Sequence, residues 1–66
     1  MKKAQRQATE LAIKNLGGAT SIAKRYGISV QAVGHWTKRG VPLKFLKEIA
    51  EEGRVARERL RPDLYA

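Results

Sequence analysis

The sequence predicts a small all-α domain of five helices, and three observations favour that fold class. Apolar residues recur every three or four positions, which is the period of a helix. Glycine or proline stands where one apolar repeat ends and the next begins. Residues 43–52, for which a β-hairpin is the competing structure, are mostly good helix formers with few β-branched side chains.

Length and composition predict one domain spanning residues 1–66. A chain of 66 residues is too short for a second hydrophobic core, and without cysteine it has neither disulfides nor a cysteine-based metal site. The longest apolar run is three residues, whereas a membrane span needs about 20 and a secretory signal about 7–15. We therefore expect a soluble, cytoplasmic protein that does not bind membranes.

A pair of glycines separates the first two helices. The first helix is predicted over residues 4–16, and its apolar face consists of Ala4, Ala8, Leu11, Ala12 and Leu16. Gly17 and Gly18 end it, because glycine commonly follows the last apolar position of a helix. The second helix begins at Ala19 or Thr20, of which Thr20 is the better N-cap by side-chain chemistry. Its inner side presents Ile22, Ala23 and Tyr26.

The third helix has clear signals at both ends. Gly27 stops the preceding helix, and Ser29 is a natural N-cap for a helix over residues 30–39. Two cations lie in the last turn, where they interact favourably with the helix dipole, and Gly40 follows as a glycine cap.

The fourth and fifth helices account for the rest of the chain. Pro42 suits the first turn of the fourth helix, because its missing N–H is not needed there. Gly53 is expected to end that helix, whose apolar stripe consists of Leu43, Leu46, Ile49 and Ala50. Residues 55–61 then form a short fifth helix that Pro62 prevents from continuing.

The competing α+β fold would replace the fourth helix with a β-hairpin turning at residues 52–53. Leu46 and Ile49 are three positions apart, so they share one face of a helix but would lie on opposite faces of a strand. Periodicity therefore favours five helices and no sheet.

The second and third helices carry the spacing of a helix-turn-helix at about residues 19–39. Ala23 provides the small residue needed where two such helices cross, and Gly27 can take the positive φ that the turn demands. The predicted core of the unit consists of Ile22, Ala23, Tyr26, Gly27, Ile28, Val33 and Trp36. An ordinary helical hairpin explains this spacing equally well, so the functional interpretation depends on charge.

Positive charge is concentrated in the first two-thirds of the chain. The formal net charge is +8; residues 1–47 hold ten basic side chains and one acid, whereas residues 48–66 hold four basic and five acidic groups. Such a field attracts a polyanion to the first part of the chain. Because the outer face of the third helix is also polar and free of acids, we favour DNA as the ligand.

The stretch GGATSIAKRYGISVQAVGHWTKRGVP resembles the helix-turn-helix of phage Cro repressors and of related Cro-like or YdaS-type transcriptional regulators. The matching positions are Gly17, Gly18, Ile22, Ala23, Gly27, Ile28, Ala32, Val33, Trp36, Gly40, Val41 and Pro42. Residues 60–65 are similar to the closing motif of those proteins, so the resemblance covers most of the chain from residue 9. It implies a homodimeric repressor of phage or prophage origin that binds a palindromic operator through the major groove.

The exposed side of the third helix supplies the predicted base contacts. Gln31 can pair bidentately with adenine N6 and N7, and Ser29 lies at the helix start, closest to the bases in this docking geometry. His35 lies one turn beyond Gln31, Val30 can contact a thymine methyl group, and Gly34 allows close approach to the backbone. The residues predicted to contact phosphates are Thr20, Lys24, Arg25, Lys38 and Arg39.

Residues 54–66 are the predicted dimerisation segment, because they belong to the nearly neutral region 48–66, which would not repel a second copy. Leu60, Leu64 and Tyr65 are its candidate contacts. Two copies separated by about one turn of DNA (roughly 34 Å) would read a complete site. The tail offers few apolar residues, so we expect weak dimerisation without DNA.

Other function classes fit the sequence less well. No nucleophile–base pair or phosphate-binding glycine loop can be assembled, so we expect no enzyme, cofactor, metal or small-molecule substrate. A DNA-binding antitoxin would use the same domain with an added toxin-neutralising segment, which is not evident. An RNA-binding or ribosome-associated protein would need exposed aromatic side chains, and most of the four aromatic residues are expected in the core.

Overall fold

A computed structural model describes residues 2–65, so the outermost residue at each end of the predicted domain lies outside the described part. The α-helices are α1 (Lys3–Asn15), α2 (Ala19–Tyr26), α3 (Val30–Arg39), α4 (Leu43–Gly53) and α5 (Arg57–Leu60), and a 3-10 helix follows at Pro62–Leu64. No strand occurs in residues 2–65, so the prediction of an all-α, five-helix fold is confirmed. Among these helices, none combines the length and apolar character needed to cross a membrane.

The core lies around α1, which packs against α3, α4 and α5. Its buried apolar side chains come from all five helices and two loops: Ala8, Ala12, Ile22, Ala23, Val33, Trp36, Val41, Leu46, Ile49, Ala50, Val55 and Leu60. Thr9 is also fully buried, and its hydroxyl donates a hydrogen bond to the carbonyl of Gln5 at 2.9 Å. Burial of this hydroxyl therefore leaves no unpaired donor.

The close approach of α1 and α4 corrects the predicted end of α4. Gly53 does not stop the helix; it is the last helical residue and is buried. A Cβ at this position would lie 2.9 Å from the Cβ of Ala12, and Asn15 Nδ2 donates to the Gly53 carbonyl at 2.7 Å. The left-handed conformation falls on Arg54 instead, with φ of 55°, although side chains with a Cβ rarely adopt it. Glycine at position 53 therefore serves helix packing, and the next residue makes the turn.

Several predicted positions differ in the structure. Gly18, not Thr20, precedes the first residue of α2 as its N-cap, and Thr20 is an exposed residue of the first turn. Leu11 and Leu43 are 42% and 69% exposed, so they do not belong to the core. The reason for Leu11 is that α1 buries Ala8, Thr9 and Ala12, whose small side chains allow close helix contacts. Leu43 lies at the end of α4 opposite to the contact between Gly53 and α1.

The fifth helix is shorter than the predicted residues 55–61. Val55 is buried, and its N–H donates to the carbonyl of Ala50 at 3.1 Å. This bond completes the end of α4, so α5 begins only at Arg57.

Arg61 attaches the C-terminal residues to the loop between α3 and α4. Its Nη1 donates to the Val41 carbonyl at 2.8 Å, and its Nε and Nη2 donate to Asp63 at 3.1 and 2.9 Å. A Cβ at Gly40 would lie 2.9 Å from Arg61 Cδ, so glycine at position 40 makes room for this side chain. The hydrogen bonds from Arg61 lower the pKa of the Asp63 carboxyl.

Candidate nucleic-acid interface

Helices α2 and α3 are joined by the three residues 27–29. Gly27 adopts the left-handed conformation, with φ of 65° and ψ of 35°, which glycine tolerates without strain. The N–H of Ile28 donates to the Ala23 carbonyl at 3.0 Å. Ser29 Oγ accepts a hydrogen bond from the Ala32 N–H at 3.0 Å, so Ser29 is the N-cap of α3 as predicted. A turn of this length between packed helices is typical of a helix-turn-helix.

The inner face of this helix pair is buried. Ile22, Ala23, Val33 and Trp36 are at most 5% exposed. Tyr26 and Ile28 are partly buried and pack against these residues, whereas exposed Gly27 contributes only its backbone.

Phe45 of α4 also supports the helix pair, although the helix-turn-helix spacing does not indicate it. Its ring centroid lies 5.1 Å from that of Tyr26 and 5.8 Å from that of Trp36, both in tilted contacts. Aromatic rings at such separations attract one another beyond the effect of burial. The only sequence signal is an aromatic residue next to the apolar stripe of α4.

The residues predicted to contact bases are all exposed on the outer side of the unit: Ser29, Val30, Gln31, Gly34 and His35. Val30 is 48% exposed and so is available to a ligand. A Cβ at Gly34 would meet no atom within 4 Å, so packing within this chain does not require glycine there. This side of α3 therefore carries small and polar groups that the fold itself does not use.

Four of the five residues predicted to contact phosphates are exposed: Thr20, Lys24, Lys38 and Arg39. The three cations among them form no ion pair with another residue in the described range. The sequence contains no acid between Glu10 and Glu48. Helices α2 and α3 thus carry positive charge without an acidic residue of their own.

Arg25, the fifth of these residues, is paired with Glu52 of α4. Arg25 Nη2 donates to Glu52 Oε1, and the guanidinium carbon lies 5.9 Å from the Tyr26 ring centroid. Burial raises the pKa of the Tyr26 hydroxyl, and the carboxylates of Glu48 and Glu52 raise it further. The partners are 27 residues apart in sequence, so no local pattern predicts their contact.

The predicted dimer contacts are divided between core and surface. Leu60 is fully buried in the core of its own chain, so its assignment to a dimer interface is wrong. The reason is that α5 packs against α1 and α4 and directs Leu60 into the core. Leu64 and Tyr65 are 45% and 44% exposed, and the Arg57 guanidinium lies 6.0 Å from the Tyr65 ring centroid. These two residues remain predicted contacts.

A family profile described as bacterial toxin YdaS matches residues 9–66, which is most of the chain. The chain belongs to this family. YdaS proteins form a small phage-associated family with a domain like a helix-turn-helix, so this part of the sequence-based assignment is confirmed. The closer relationship to Cro repressors stays a prediction. No curated protein and no solved structure matches the chain at a significant level.

Proposed function

We propose that this YdaS-family protein is a sequence-specific transcriptional repressor that binds double-stranded DNA as a homodimer. The observation that carries this proposal is the contrast between the two faces of α3. Val33 and Trp36 are buried on one face, whereas the other face presents exposed polar and basic groups and no acid. Membership of a small phage-associated family supports a regulatory role.

In this proposal α3 enters the major groove with its N-terminal part nearest the bases. The amide of Gln31 donates to adenine N7 and accepts from adenine N6, which is a bidentate contact that other base pairs do not offer. Ser29 Oγ accepts one hydrogen bond from the backbone, which leaves its O–H donor and a second acceptor site for DNA. Gly34 lets the backbone of α3 come close to the base edges.

Cations at the rim of the same surface would contact the phosphates. Lys38 and Arg39 lie in the last turn of α3, and Lys24 lies in the last turn of α2. Such contacts fix the register of the protein on DNA and make binding dependent on salt, but they carry no direct sequence information.

Selection of bound sequences from a random DNA pool tests the proposal. We expect an enriched inverted repeat, because a homodimer reads two related half-sites. Gln31→Ala should lower affinity for the selected site by about 1–3 kcal/mol and relax the preference at one base pair in each half-site. Lys38→Ala is the control. It should weaken binding to all sequences alike and reduce the slope of log K against log salt concentration (the salt slope) by about one. No enriched sequence, or an unchanged preference with Gln31→Ala, would contradict the proposed recognition.

A second candidate function is toxicity to a bacterial host, because the matching family is described as a bacterial toxin. This description also favours the toxin over the antitoxin member of a toxin–antitoxin pair. We propose that such toxicity would arise from DNA binding by the same α3 surface. Induced expression in a bacterial host should then arrest growth with the wild-type chain and not with Gln31→Ala/Lys38→Ala. Growth arrest that persists in this variant would place the toxic activity on another surface.

The arrangement of the aromatic residues argues against RNA binding through stacked bases. Trp36 is 3% exposed, and Tyr26 and Phe45 pack against the core, so Tyr65, at 44%, is the one exposed aromatic residue among the four. Recognition of single-stranded RNA commonly stacks bases on several exposed aromatic rings.

A further inference from the structure

We propose that Glu52 withholds Arg25 from DNA phosphates, so that Lys24 binds DNA while its neighbour Arg25 does not; this inference rests on the proposed DNA binding. The two cations are adjacent in the last turn of α2, and by sequence alone they are equivalent candidates. The structure distinguishes them by their partners.

The contacts of Arg25 occupy its guanidinium within the chain. Nη2 donates to Glu52 Oε1, and the guanidinium carbon lies 5.9 Å from the centroid of the Tyr26 ring. The side chains of Arg25 and Glu52 are 51% and 39% exposed, so the pair is accessible to solvent. Lys24 is exposed and forms no ion pair with any residue of the described chain.

The surroundings of this pair add further negative charge. Glu48 lies four residues before Glu52 on α4 and is a second carboxylate whose charge raises the pKa of the Tyr26 hydroxyl. Glu52 is in the last turn of α4, where the helix dipole places partial negative charge that also attracts a guanidinium. Several interactions therefore hold Arg25 in place, and an isolated surface ion pair would hold it less well.

The pair joins the last turn of α2 to the last turn of α4. The C-terminal end of α4 lies against α1, where Gly53 meets Ala12 and Asn15. The negative charge of Glu52 thus removes one cation from the set that would contact DNA.

Removal of the charge on Glu52 should release Arg25 for a phosphate contact. Each additional phosphate contact steepens the slope of log K against log salt concentration by about 0.9. The carboxylate also contributes long-range repulsion toward DNA, so its loss alone raises affinity. Glu51→Gln is the matched control for that effect, because Glu51 is the adjacent residue of α4, is exposed, and forms no ion pair within residues 2–65.

The experiment measures binding to a random-sequence DNA duplex between about 50 and 200 mM salt. Glu52→Gln should steepen the salt slope by about 0.9 relative to Glu51→Gln. The ratio of the affinity of Glu52→Gln to that of Glu51→Gln should therefore be about 3.5 times larger at about 50 mM than at about 200 mM salt. Arg25→Ala should leave the wild-type slope unchanged, whereas Lys24→Ala should reduce it by about 0.9. Arg25→Ala combined with Glu52→Gln should return the slope to the wild-type value. Circular dichroism checks that each variant keeps its helical content.

Two results would overturn the inference alone. One is a loss of slope with Arg25→Ala equal to that with Lys24→Ala, and the other is equal slopes for Glu52→Gln and Glu51→Gln. A wild-type protein that shows no salt-dependent DNA binding would overturn the proposed function and this inference with it.

Discussion

The outer face of α3 and the C-terminal third of the chain use their polar side chains differently. In the C-terminal third, Arg61 bonds to Asp63 and to the Val41 carbonyl, and Glu52 holds Arg25. The bonds from Arg61 to Val41 and from Arg25 to Glu52 connect segments that are 20 and 27 positions apart in sequence.

On the outer face of α3, the long polar side chains make no such contacts. Gln31, His35, Lys38 and Arg39 are exposed and form no side-chain hydrogen bond with another residue in the described range. The paired groups Glu52, Arg61 and Asp63 thus bond within the chain, whereas the long polar side chains of α3 are available to a ligand. Substitutions in the two regions should therefore affect different measurements.

The largest expected effect is in the C-terminal third. Leu60→Ala should lower the free energy of unfolding by about 2–5 kcal/mol, because Leu60 is fully buried and alanine leaves a cavity. Leu64→Ala, at a position 45% exposed, should change it by no more than about 0.5 kcal/mol. Urea denaturation measures both, and equal effects would contradict the assignment of Leu60 to the core. Sedimentation of Leu64→Ala with operator DNA then tests the predicted dimer contact. If two copies still assemble on the DNA as in the wild type, Leu64 does not contribute to the dimer interface.

Gly53→Ala should have the next largest effect, about 1–3 kcal/mol of destabilisation. The added Cβ would lie 2.9 Å from the Cβ of Ala12 and 3.1 Å from its Cα, so α1 and α4 must move apart. Thermal unfolding followed by circular dichroism measures the loss. A variant at least as stable as the wild type would show that the close contact between α1 and α4 is not needed.

Gly34→Ala should have the opposite effect on stability. Alanine favours a helix over glycine by about 1 kcal/mol, and a Cβ at position 34 meets nothing within 4 Å. The melting temperature should therefore rise while affinity for the selected DNA site falls, because the methyl group projects from the proposed DNA-binding face. Undiminished affinity would show that glycine at this position is not used for close approach to DNA.

The smallest expected effect is on the pH dependence of the free energy of unfolding, to which Asp63 contributes. The hydrogen bonds from Arg61 lower the pKa of the Asp63 carboxyl in the folded chain. The ionised carboxylate therefore stabilises the fold above the pKa of an unfolded aspartate, about 3.9. This stabilisation is lost as the pH falls through the lowered pKa of the folded chain. Asp63→Asn should therefore lose less stability between about pH 5 and pH 2 than the wild type. Denaturation at several pH values measures this difference, and Glu58→Gln is the charge-matched control from neighbouring α5. A wild-type pH profile in Asp63→Asn would contradict the role of this pair.

Much of the helix-turn-helix was predictable because its signals are local. Ser29 caps α3 through a bond to a residue three positions away, and Gly27 makes the turn through its own backbone freedom. The buried positions Val33 and Trp36 follow from helical spacing alone. The same reasoning identified which residues of α3 face outward.

Two of the errors occur where a contact joins residues that are far apart in sequence. The sequence predicts Leu60 as an apolar dimer contact in a short tail, but the packing of α5 against α1 buries it in the core of its own chain. The sequence predicts that Gly53 ends α4, but Gly53 is a helical residue that packs against Ala12. The left-handed conformation lies at the next residue, Arg54.

By itself, the sequence determined the all-helical fold class, the turn between α2 and α3, and the polar outer face of α3. The apolar period, the helix caps and the φ preferences of glycine each depend on a few neighbouring residues, so they can be predicted from the sequence. Only the tertiary structure decided which cations remain free, because Arg25 meets Glu52 across 27 positions while adjacent Lys24 forms no ion pair with any described residue. Charge pairing depends on distance in space, and the packing of α4 sets that distance.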